Sequence, residues 1–184
     1  MDRLVTARLV LRPWDRTDLG PFARLARDER VMRFIGDGSI WSDARTQHVF
    51  ERQLRHWGEH GFGWYSASLA STGRWAGFIG LNHVGPEAVE VTDDEVEIGW
   101  WLDPEVWGRG LATEGALAVR DVAFGRAGLE RIIGRHRPAN AASAAIMKRL
   151  GMTFERDATG RHGEVVRICA LERDRWLRIT GSEE

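Results

Sequence analysis

The apolar positions in the first third of the chain predict one strand and then a helix. From Leu4 to Arg12 apolar and polar side chains alternate, which indicates a strand that Pro13 ends. Thr17 or Asp18 can cap a helix that runs to Arg27, because a hydroxyl or carboxylate oxygen accepts from the unpaired N–H groups of a first helical turn. Leucine and phenylalanine at three-residue spacing give this helix one apolar face.

A second helix and three strand-like runs follow. Ser42 or Asp43 can cap this helix, and Gly58 is expected to close it. The three runs are rich in apolar and aromatic residues and are separated by turn-forming stretches, the second of which is acidic. They cover Gly63–Ala70, Trp75–Val84 and Glu95–Leu102.

The second half of the chain mixes helices and strands. Its predicted elements are a helix from about Ala112 to Arg126, a strand at Arg131–Arg137, a helix capped by Asn140 that ends at Gly151, and strands at Thr153–Asp157 and Val165–Glu172 joined by a turn at Gly160–Gly163. This order favours an α/β or α+β domain around one sheet. Because no repeat, low-complexity tract or long linker interrupts it, residues 1–184 are expected to form a single domain.

Composition narrows the classes of partner. The formal net charge is −1 and charged residues make up 29% of the chain, so no basic footprint for nucleic acid or an anionic membrane is visible. The N-terminus lacks the apolar run of a signal peptide, and no stretch is long enough to span a membrane. Cys169 is the one cysteine and is expected in the core, which favours a reducing cytoplasm. A homodimer is the default assembly.

The segment 97–114 carries the strongest chemical signal. It predicts a strand, a loop with two glycines, and the start of a helix, and this combination suits a phosphate because glycines admit close approach and the first helical turn offers unpaired N–H donors. Thr113 stands where a dinucleotide fingerprint needs its third glycine, and no P-loop string occurs. A glycine-rich turn without any ligand remains an alternative.

Residues 107–112, Trp-Gly-Arg-Gly-Leu-Ala, resemble motif A of the GNAT acetyltransferases, whose core is Q/R-x-x-G-x-G/A. Gly110 and Ala112 match, whereas Trp107 departs from the expected glutamine or arginine. The variant WGRGLATE looks like the branch that contains the ribosomal-protein alanine acetyltransferases of the RimJ/RimL type. Thr6–Arg12 resembles the opening strand of that branch, and Asn140–Ser143 with the later Leu-Gly-Met resembles its motif B.

This resemblance implies the GNAT fold, a mixed and mostly antiparallel twisted sheet of about seven strands flanked by about four helices. It also implies a parallel pair that splays apart between Glu95–Leu102 and Arg131–Arg137, with the pantetheine arm of acetyl-CoA in the cleft. The implied activity is transfer of the acetyl group to a primary amine, either a protein N-terminus or a small molecule, by direct attack on the thioester. The alternative is a non-catalytic acyl-CoA-binding or regulatory module.

By similarity, backbone groups at the end of the splayed strand face the pantetheine arm and the loop N–H groups hold the pyrophosphate. Arg109 either reaches a phosphate or is solvated, and Asn140 binds the arm, caps its helix, or does both. The residues expected at acetyl-CoA are Trp100, Leu102, Trp107, Gly108, Arg109, Gly110, Leu111, Ala112, Thr113, Asn140 and Ser143.

Attack of an amine on a thioester needs a base and a proton donor for the departing thiolate. Glu97 is the expected base, since strand alternation places it on the face opposite Ile98 and a carboxylate near the cleft can take the proton directly or through water. His83, at the end of the neighbouring strand, is the reserve base. Met147 occupies the position where many family members carry a tyrosine, so Ser143 is the substitute acid, with bulk water as the competing answer.

Two further groups of polar residues could bind ligands, one made of histidines and one of aspartates. His56-Trp57-Gly58-Glu59-His60 matches the zinc-peptidase string H-x-x-E-H, but the glycines around it indicate a fraying helix end, and no metal is expected. Asp37 and Asp43 lie near the expected acceptor side. They could attract a cationic amine, although paired carboxylates in a loop are usually solvated.

Overall fold

The computed structural model describes residues 3–84, 95–160 and 162–181. Within these ranges eight strands form one sheet in the order β1-β2-β3-β4-β5-β6-β8-β7, and among them the pair β5–β6 is parallel. The strands are β1 Leu4–Val5, β2 Leu9–Pro13, β3 Trp64–Leu69, β4 Trp75–His83, β5 Val96–Leu102, β6 Arg131–His136, β7 Thr153–Thr159 and β8 Val165–Glu172. The expected mixed, mostly antiparallel α+β sheet is confirmed, with eight strands where about seven were predicted. The acidic stretch at 85–94 lies outside the described residues.

The same part of the chain contains six α-helices, two more than the sequence predicted. They are α1 Leu19–Ala26, α2 Glu29–Met32, α3 Asp43–His60, α4 Leu111–Asp121, α5 Ala141–Arg149 and α6 Arg173–Thr180. The predicted helix to Arg126 is real but changes character, since α4 passes into a π-helical turn at Val122–Arg126. Over the residues that the structure describes, none of these helices has the length and apolar character needed to cross a membrane.

The predicted N-terminal strand is a hairpin of two strands. Thr6 breaks it, because its N–H and its hydroxyl both bond to Leu9, with N···O distances of 2.9 and 3.0 Å. The following helical segment begins one turn earlier than expected. Asp15, rather than Thr17 or Asp18, is its cap: the Asp15 carboxylate accepts from the Thr17 N–H at 2.8 Å, and the Asp18 carboxylate accepts in return from the Asp15 N–H at 2.9 Å.

Helix α3 begins as predicted, with the Ser42 hydroxyl accepting from the Arg45 N–H. Its predicted end at Gly58 is wrong. Gly58 stays helical, and the helix ends at Gly61, whose φ of 72° is left-handed. The difference matters because the extra turn carries His60 to the end of β4.

Both faces of the sheet are covered. One apolar cluster lies under α4 and α5 and includes Ile98, Leu111 and Val119. The other lies under α1 to α3 and is dominated by aromatic rings. Strand alternation along β5 is confirmed, since Ile98 packs in the first cluster and Trp101 packs against the second. The central strands β3 to β6 are therefore buried on both sides, whereas β7 at the edge is largely exposed.

Strands β5 and β6 pair over only a small part of their described lengths. They meet at one register position, Glu97 opposite Ile133, although each strand has at least six residues. By contrast, β6 pairs with β8 through six register positions from Arg131 to His136. Beyond Glu97 the parallel strands diverge toward their carboxyl ends. This is the splay that the sequence predicted, and it positions the candidate site.

Gly80 offers a test of how closely β3 and β4 approach. A Cβ at Gly80 would lie 2.3 Å from the backbone Cα of Trp64, which cannot move aside as a side chain could. We therefore expect Gly80→Ala to lower the free energy of unfolding by roughly 2–4 kcal/mol in urea titrations.

Gly58→Ala is the matched control for that substitution. Gly58 lies inside α3, and apart from its chain neighbours and the backbone of its own helix no described atom lies within 4 Å of the position that a Cβ would take there. Alanine should therefore raise the free energy of unfolding by about 0.5–1 kcal/mol. Equal stability of the two variants would contradict the close approach of β3 and β4.

Candidate active site

The loop from β5 to α4 is shaped by two left-handed glycines. A short 3-10 turn at Pro104–Val106 follows β5, and the Asp103 carboxylate caps it by accepting from the Glu105 N–H at 3.0 Å. Gly108 and Gly110 then adopt φ values of 72° and 73°. Apart from its two chain neighbours, no described residue has an atom within 4 Å of a Cβ placed on Gly108, so the loop presents bare backbone to an open space.

Helix α4 starts without a side-chain cap. Its N-cap residue is Gly110, which cannot supply one, so among the described residues no side chain satisfies the first N–H groups, those of Leu111, Ala112 and Thr113. The Leu111 side chain is buried in the core and fixes the start of the helix. Unpaired N–H groups and the positive end of the helix dipole together favour an anion such as a phosphate.

A brace from the N-terminal hairpin holds this loop. The Arg8 guanidinium donates to the carbonyl of Arg109 at 2.7 Å and to the Glu114 carboxylate at 2.6 Å. Glu114 also accepts from the Thr6 hydroxyl at 2.6 Å and from the Arg8 N–H at 2.7 Å. Burial alone would raise the pKa of Glu114, but the bonds from Thr6 and Arg8 outweigh it and hold that pKa below its usual value. Sequence reasoning missed this brace.

Trp107, the departure from motif A, has a structural role here. Its indole N–H donates to the carbonyl of Leu102 at 2.8 Å, across the turn that follows β5. The residue is 47% exposed. Its side chain therefore closes the turn, and the Leu102 carbonyl that was expected to face a ligand is engaged by the indole.

A cavity of about 750 Å³ opens beside the divergence of β5 and β6. It brings together four of the predicted site residues, Glu97, Trp100, Asn140 and Ser143, and Met147 closes it at one side. Its lining does not include Leu102 or His83. The cavity therefore lies between the splayed strands and the first turn of α5.

Asn140 caps α5, because its side-chain oxygen accepts from the Ser143 N–H at 3.1 Å. The predicted cap is thus confirmed, and Asn140 keeps its side-chain N–H₂ for other partners. Met147 is 3% exposed and packs against Gly134, where a Cβ would approach the methionine Cε to 2.9 Å. Methionine offers no donor at this point of the cavity wall.

Glu97 lies in the cavity as half of an ion pair. Its two carboxylate oxygens accept from Arg135, with Nε–Oε1 at 3.1 Å and Nη2–Oε2 at 2.7 Å. The charge of Glu97 is the largest cause that raises the pKa of Arg135 above its ordinary value. The paired guanidinium keeps the carboxylate in place at the point where β5 and β6 part.

The histidines are distributed differently from the prediction. His83 faces His56, with 3.1 Å between His56 Nε2 and His83 Nδ1. His136 instead lines the cavity, is 6% exposed, and places Nδ1 2.9 Å from the carbonyl of Arg137. That contact favours the tautomer that leaves Nε2 as an acceptor. Its position at the end of a splayed strand was the signal that could have identified it.

The lining of the cavity is aromatic and basic rather than acidic. Asp37 accepts from the N–H and hydroxyl of Ser39, which lower its pKa, and Asp43 pairs with Arg27. Neither aspartate belongs to the lining. The cationic and imidazole residues that do are Arg45, His48, Arg52, Arg135, His136, Arg137 and His162, and the carboxylates are Glu97 and Glu164. The aromatic ones are Trp14, Phe22, Phe34, Trp41, Trp64, Trp100 and Trp101.

These features fit acetyl-CoA, the ligand that the sequence resemblance implied. The uncapped start of α4 and the open Gly108 backbone suit the pyrophosphate of acetyl-CoA. The divergence of β5 from β6 leaves backbone groups of the strands without a sheet partner, and these groups suit the pantetheine arm. The cavity at the base of the splay leaves room for a second substrate.

A protein-family model described as an acetyltransferase (GNAT) domain matches residues 8–153. The FsC-acetyl coenzyme A-N(2)-transacetylase of Aspergillus fumigatus is 28% identical over 194 residues, covering 96% of this chain and 78% of that protein. The crystal structure of an acetyltransferase from Agrobacterium tumefaciens is 32% identical and has a TM-score of 0.79, covering 94% of this chain and 95% of that one.

More distant structures share the fold. The ribosomal-protein-S5-alanine acetyltransferase from Vibrio fischeri has a TM-score of 0.74 at 16% identity, covering 96% of this chain and 99% of that one. A likeness at that level of identity establishes a common fold and leaves the acceptor open.

The brace at the phosphate loop can be tested through stability. Glu114→Gln removes the charge that three donors from Thr6 and Arg8 share, so we expect the free energy of unfolding to fall by about 1–3 kcal/mol in urea. The control is Glu105→Gln, an exposed carboxylate of the same motif, which should change stability by less than about 0.5 kcal/mol. If both variants are as stable as the wild type, the brace contributes nothing.

Proposed function

Since the chain belongs to the GNAT acetyltransferase family and is an acetyl-CoA-dependent N-acetyltransferase, we propose that its acceptor is a primary amine that also carries an anionic group. The observation that carries this proposal is the basic and aromatic lining of the cavity beside the splayed strands. The amine end would lie at Glu97 and the anionic end toward the arginines of α3.

Acetyl-CoA would be held along the splay. The N–H groups from Gly108 to Thr113 would bind its pyrophosphate, and the Arg109 guanidinium would add a positive charge at the loop. Backbone groups of Trp100 would face the pantetheine arm, and the Asn140 side-chain amide would donate to it while its oxygen caps α5. When bound, acetyl-CoA supplies the thioester carbonyl that the amine attacks.

Glu97 is the proposed base. An amine must lose a proton as its nitrogen bonds to the acetyl carbon, and Glu97 is a carboxylate in the cavity that can accept it directly or through a water. Arg135 orients both oxygens and leaves each with a further lone pair. His136 Nε2 is the second candidate, since it is an acceptor in the same cavity.

Ser143 is the proposed donor to the departing thiolate. It lies on the first turn of α5 in the cavity lining, one helical turn before Met147, which carries no proton to give. Solvent that enters through the open cavity can perform the same step. The hydroxyl therefore assists the reaction rather than limiting it.

The acceptor is inferred from charge. Among the described residues, four arginines line the cavity against two carboxylates, one of which, Glu97, is already paired with Arg135. Arg45 lies in the first part of α3 with its guanidinium 4.6 Å from the Trp41 ring centroid, a position that holds it at the cavity wall. A carboxylate or phosphate on the acceptor would be attracted here, whereas a polycation would be repelled.

The acceptor class and the branch of the family are also proposed. The name of the Aspergillus relative records transfer to an N(2) position. Because the cavity lining is basic, amines that also carry a carboxylate are the acceptors to try first. We also propose that the chain acts as a RimJ/RimL-like enzyme in a reducing cytoplasm. Cys169 is buried, and burial raises the pKa of its thiol, as expected for an inert core residue.

The role of Glu97 as the base can be tested by measuring acetyl-CoA binding and turnover separately. We expect Glu97→Gln to bind acetyl-CoA like the wild type, with the same rise in Tm of roughly 5–10 °C at 100-fold excess over Kd. Its kcat should fall by about 10²–10⁴-fold, because the glutamine oxygen keeps one of the two contacts with Arg135 and the amide takes no proton. Thiol release on amine addition measures turnover.

His136→Gln is the matched variant for this experiment. A loss of turnover in His136→Gln together with a normal rate in Glu97→Gln would assign the base to His136 and overturn the role of Glu97. Absence of any Tm rise with acetyl-CoA in the wild type would contradict the binding site itself.

The acceptor proposal is tested with paired amines. A dipeptide with a free carboxylate should have a KM roughly 10-fold lower than its C-terminal amide, since a charge-assisted contact contributes about 1.5–3 kcal/mol when partly desolvated. Arg45→Gln should remove most of that preference and leave the KM for acetyl-CoA unchanged.

Arg55→Gln provides the control, because Arg55 is exposed on the same helix and does not line the cavity. It should retain the preference for the carboxylate. Faster acetylation of spermidine than of any anionic amine would refute the charge argument.

A further inference from the structure

Three histidines meet at a point that the acetyl-transfer site does not use. His56 and His60 lie one turn apart near the end of α3, and His83 is the last residue of β4. None of them lines the cavity beside the splay. They come together because α3 continues past Gly58 for a further turn.

The ring nitrogens are close enough to share one ion. One nitrogen of each histidine lies within 4.8 Å of the others, and His56 Nε2 is 3.1 Å from His83 Nδ1. The ring centroid of His60 is 4.4 Å from that of His56 and 4.2 Å from that of His83. Tetrahedral zinc with Zn–N bonds of about 2.0–2.1 Å needs nitrogens about 3.3–3.5 Å apart, so only the exposed His60 has to close in.

The surroundings of His56 are those of a metal ligand. Its Nδ1 lies 3.0 Å from the carbonyl of Phe62, which favours a proton on Nδ1 and leaves Nε2 as an acceptor on the side of His83. Nε2 accepts at present from the His83 N–H at 3.0 Å, a bond that coordination would replace.

We propose that His56, His60 and His83 form a zinc-binding site that ties the end of α3 to the end of β4, with a water as the fourth ligand. Imidazole nitrogens suit zinc and other borderline divalent ions, whereas magnesium prefers oxygen ligands. The C-terminal end of α3 carries the negative pole of the helix dipole and favours a cation there.

This site would be structural with respect to acetyl transfer. Arg45 reaches the acceptor cavity near the start of α3, while the cluster sits near the end of the same helix, one turn beyond Arg52. Zinc would therefore fix the helix that carries part of the acceptor wall without contacting either substrate. Removing the ion should lower thermal stability and leave the chemistry in place.

The test uses the full chain without a histidine tag. After chelation and dialysis, calorimetric titration with ZnCl₂ at pH 7.5 should give one zinc per chain, and a 100-fold excess over Kd should raise Tm by roughly 5–10 °C. MgCl₂ should give no heat and no shift. His60→Ala, which changes an exposed side chain, should weaken zinc binding by at least about 10-fold.

His162→Ala is the control, since it removes a histidine outside the cluster and should bind zinc like the wild type. Absence of stoichiometric binding by the wild type would overturn the site, and so would equal affinity in His60→Ala. Turnover measured with and without chelator keeps this result separate from the proposed function, because the two sites share no residue.

Discussion

The parting of β5 from β6 is the constraint on which the rest of the molecule depends. Glu97 pairs with Ile133, and beyond this position the two parallel strands no longer pair. The backbone N–H and C=O groups on the facing edges therefore need other partners. Past the end of β6, the Trp107 indole donates to the carbonyl of Leu102, the last residue of β5. The remaining groups face a gap that suits an extended ligand arm. A continuous sheet at this place would be more regular and would have no cleft.

Two charge pairs keep the parted region in shape. Arg135 holds Glu97 at the base of the divergence, and Arg8 with Glu114 secures the loop at its open end. Both carboxylates are largely shielded from solvent and each accepts more than one N–H or O–H, so their loss exposes unsatisfied donors rather than one weak surface bridge. The cavity between the pairs can then present a fixed set of groups to two substrates.

Local signals predicted the local parts of this site. The two glycines before α4 and the cap at Asn140 followed from residues a few positions apart, and so did most strands. The pairs Arg8–Glu114 and Glu97–Arg135 join residues 106 and 38 positions apart, and one sequence contains no rule that pairs one arginine rather than another with a given carboxylate. The end of α3 was misjudged because Gly58, a weak helix former, is tolerated in an exposed turn.

The aromatic wall of the cavity that is proposed to take the acceptor has a consequence for selectivity. Trp14 packs edge-on against Phe78 at 4.5 Å and Trp41 against Trp101 at 5.2 Å, so the rings hold one another in fixed orientations before any acceptor arrives. Rigid rings of this kind lose little side-chain entropy on contact. This side of the cavity is therefore preorganised. An acceptor that fits it loses only its own conformational freedom on binding, and the wall cannot adapt to one that does not fit.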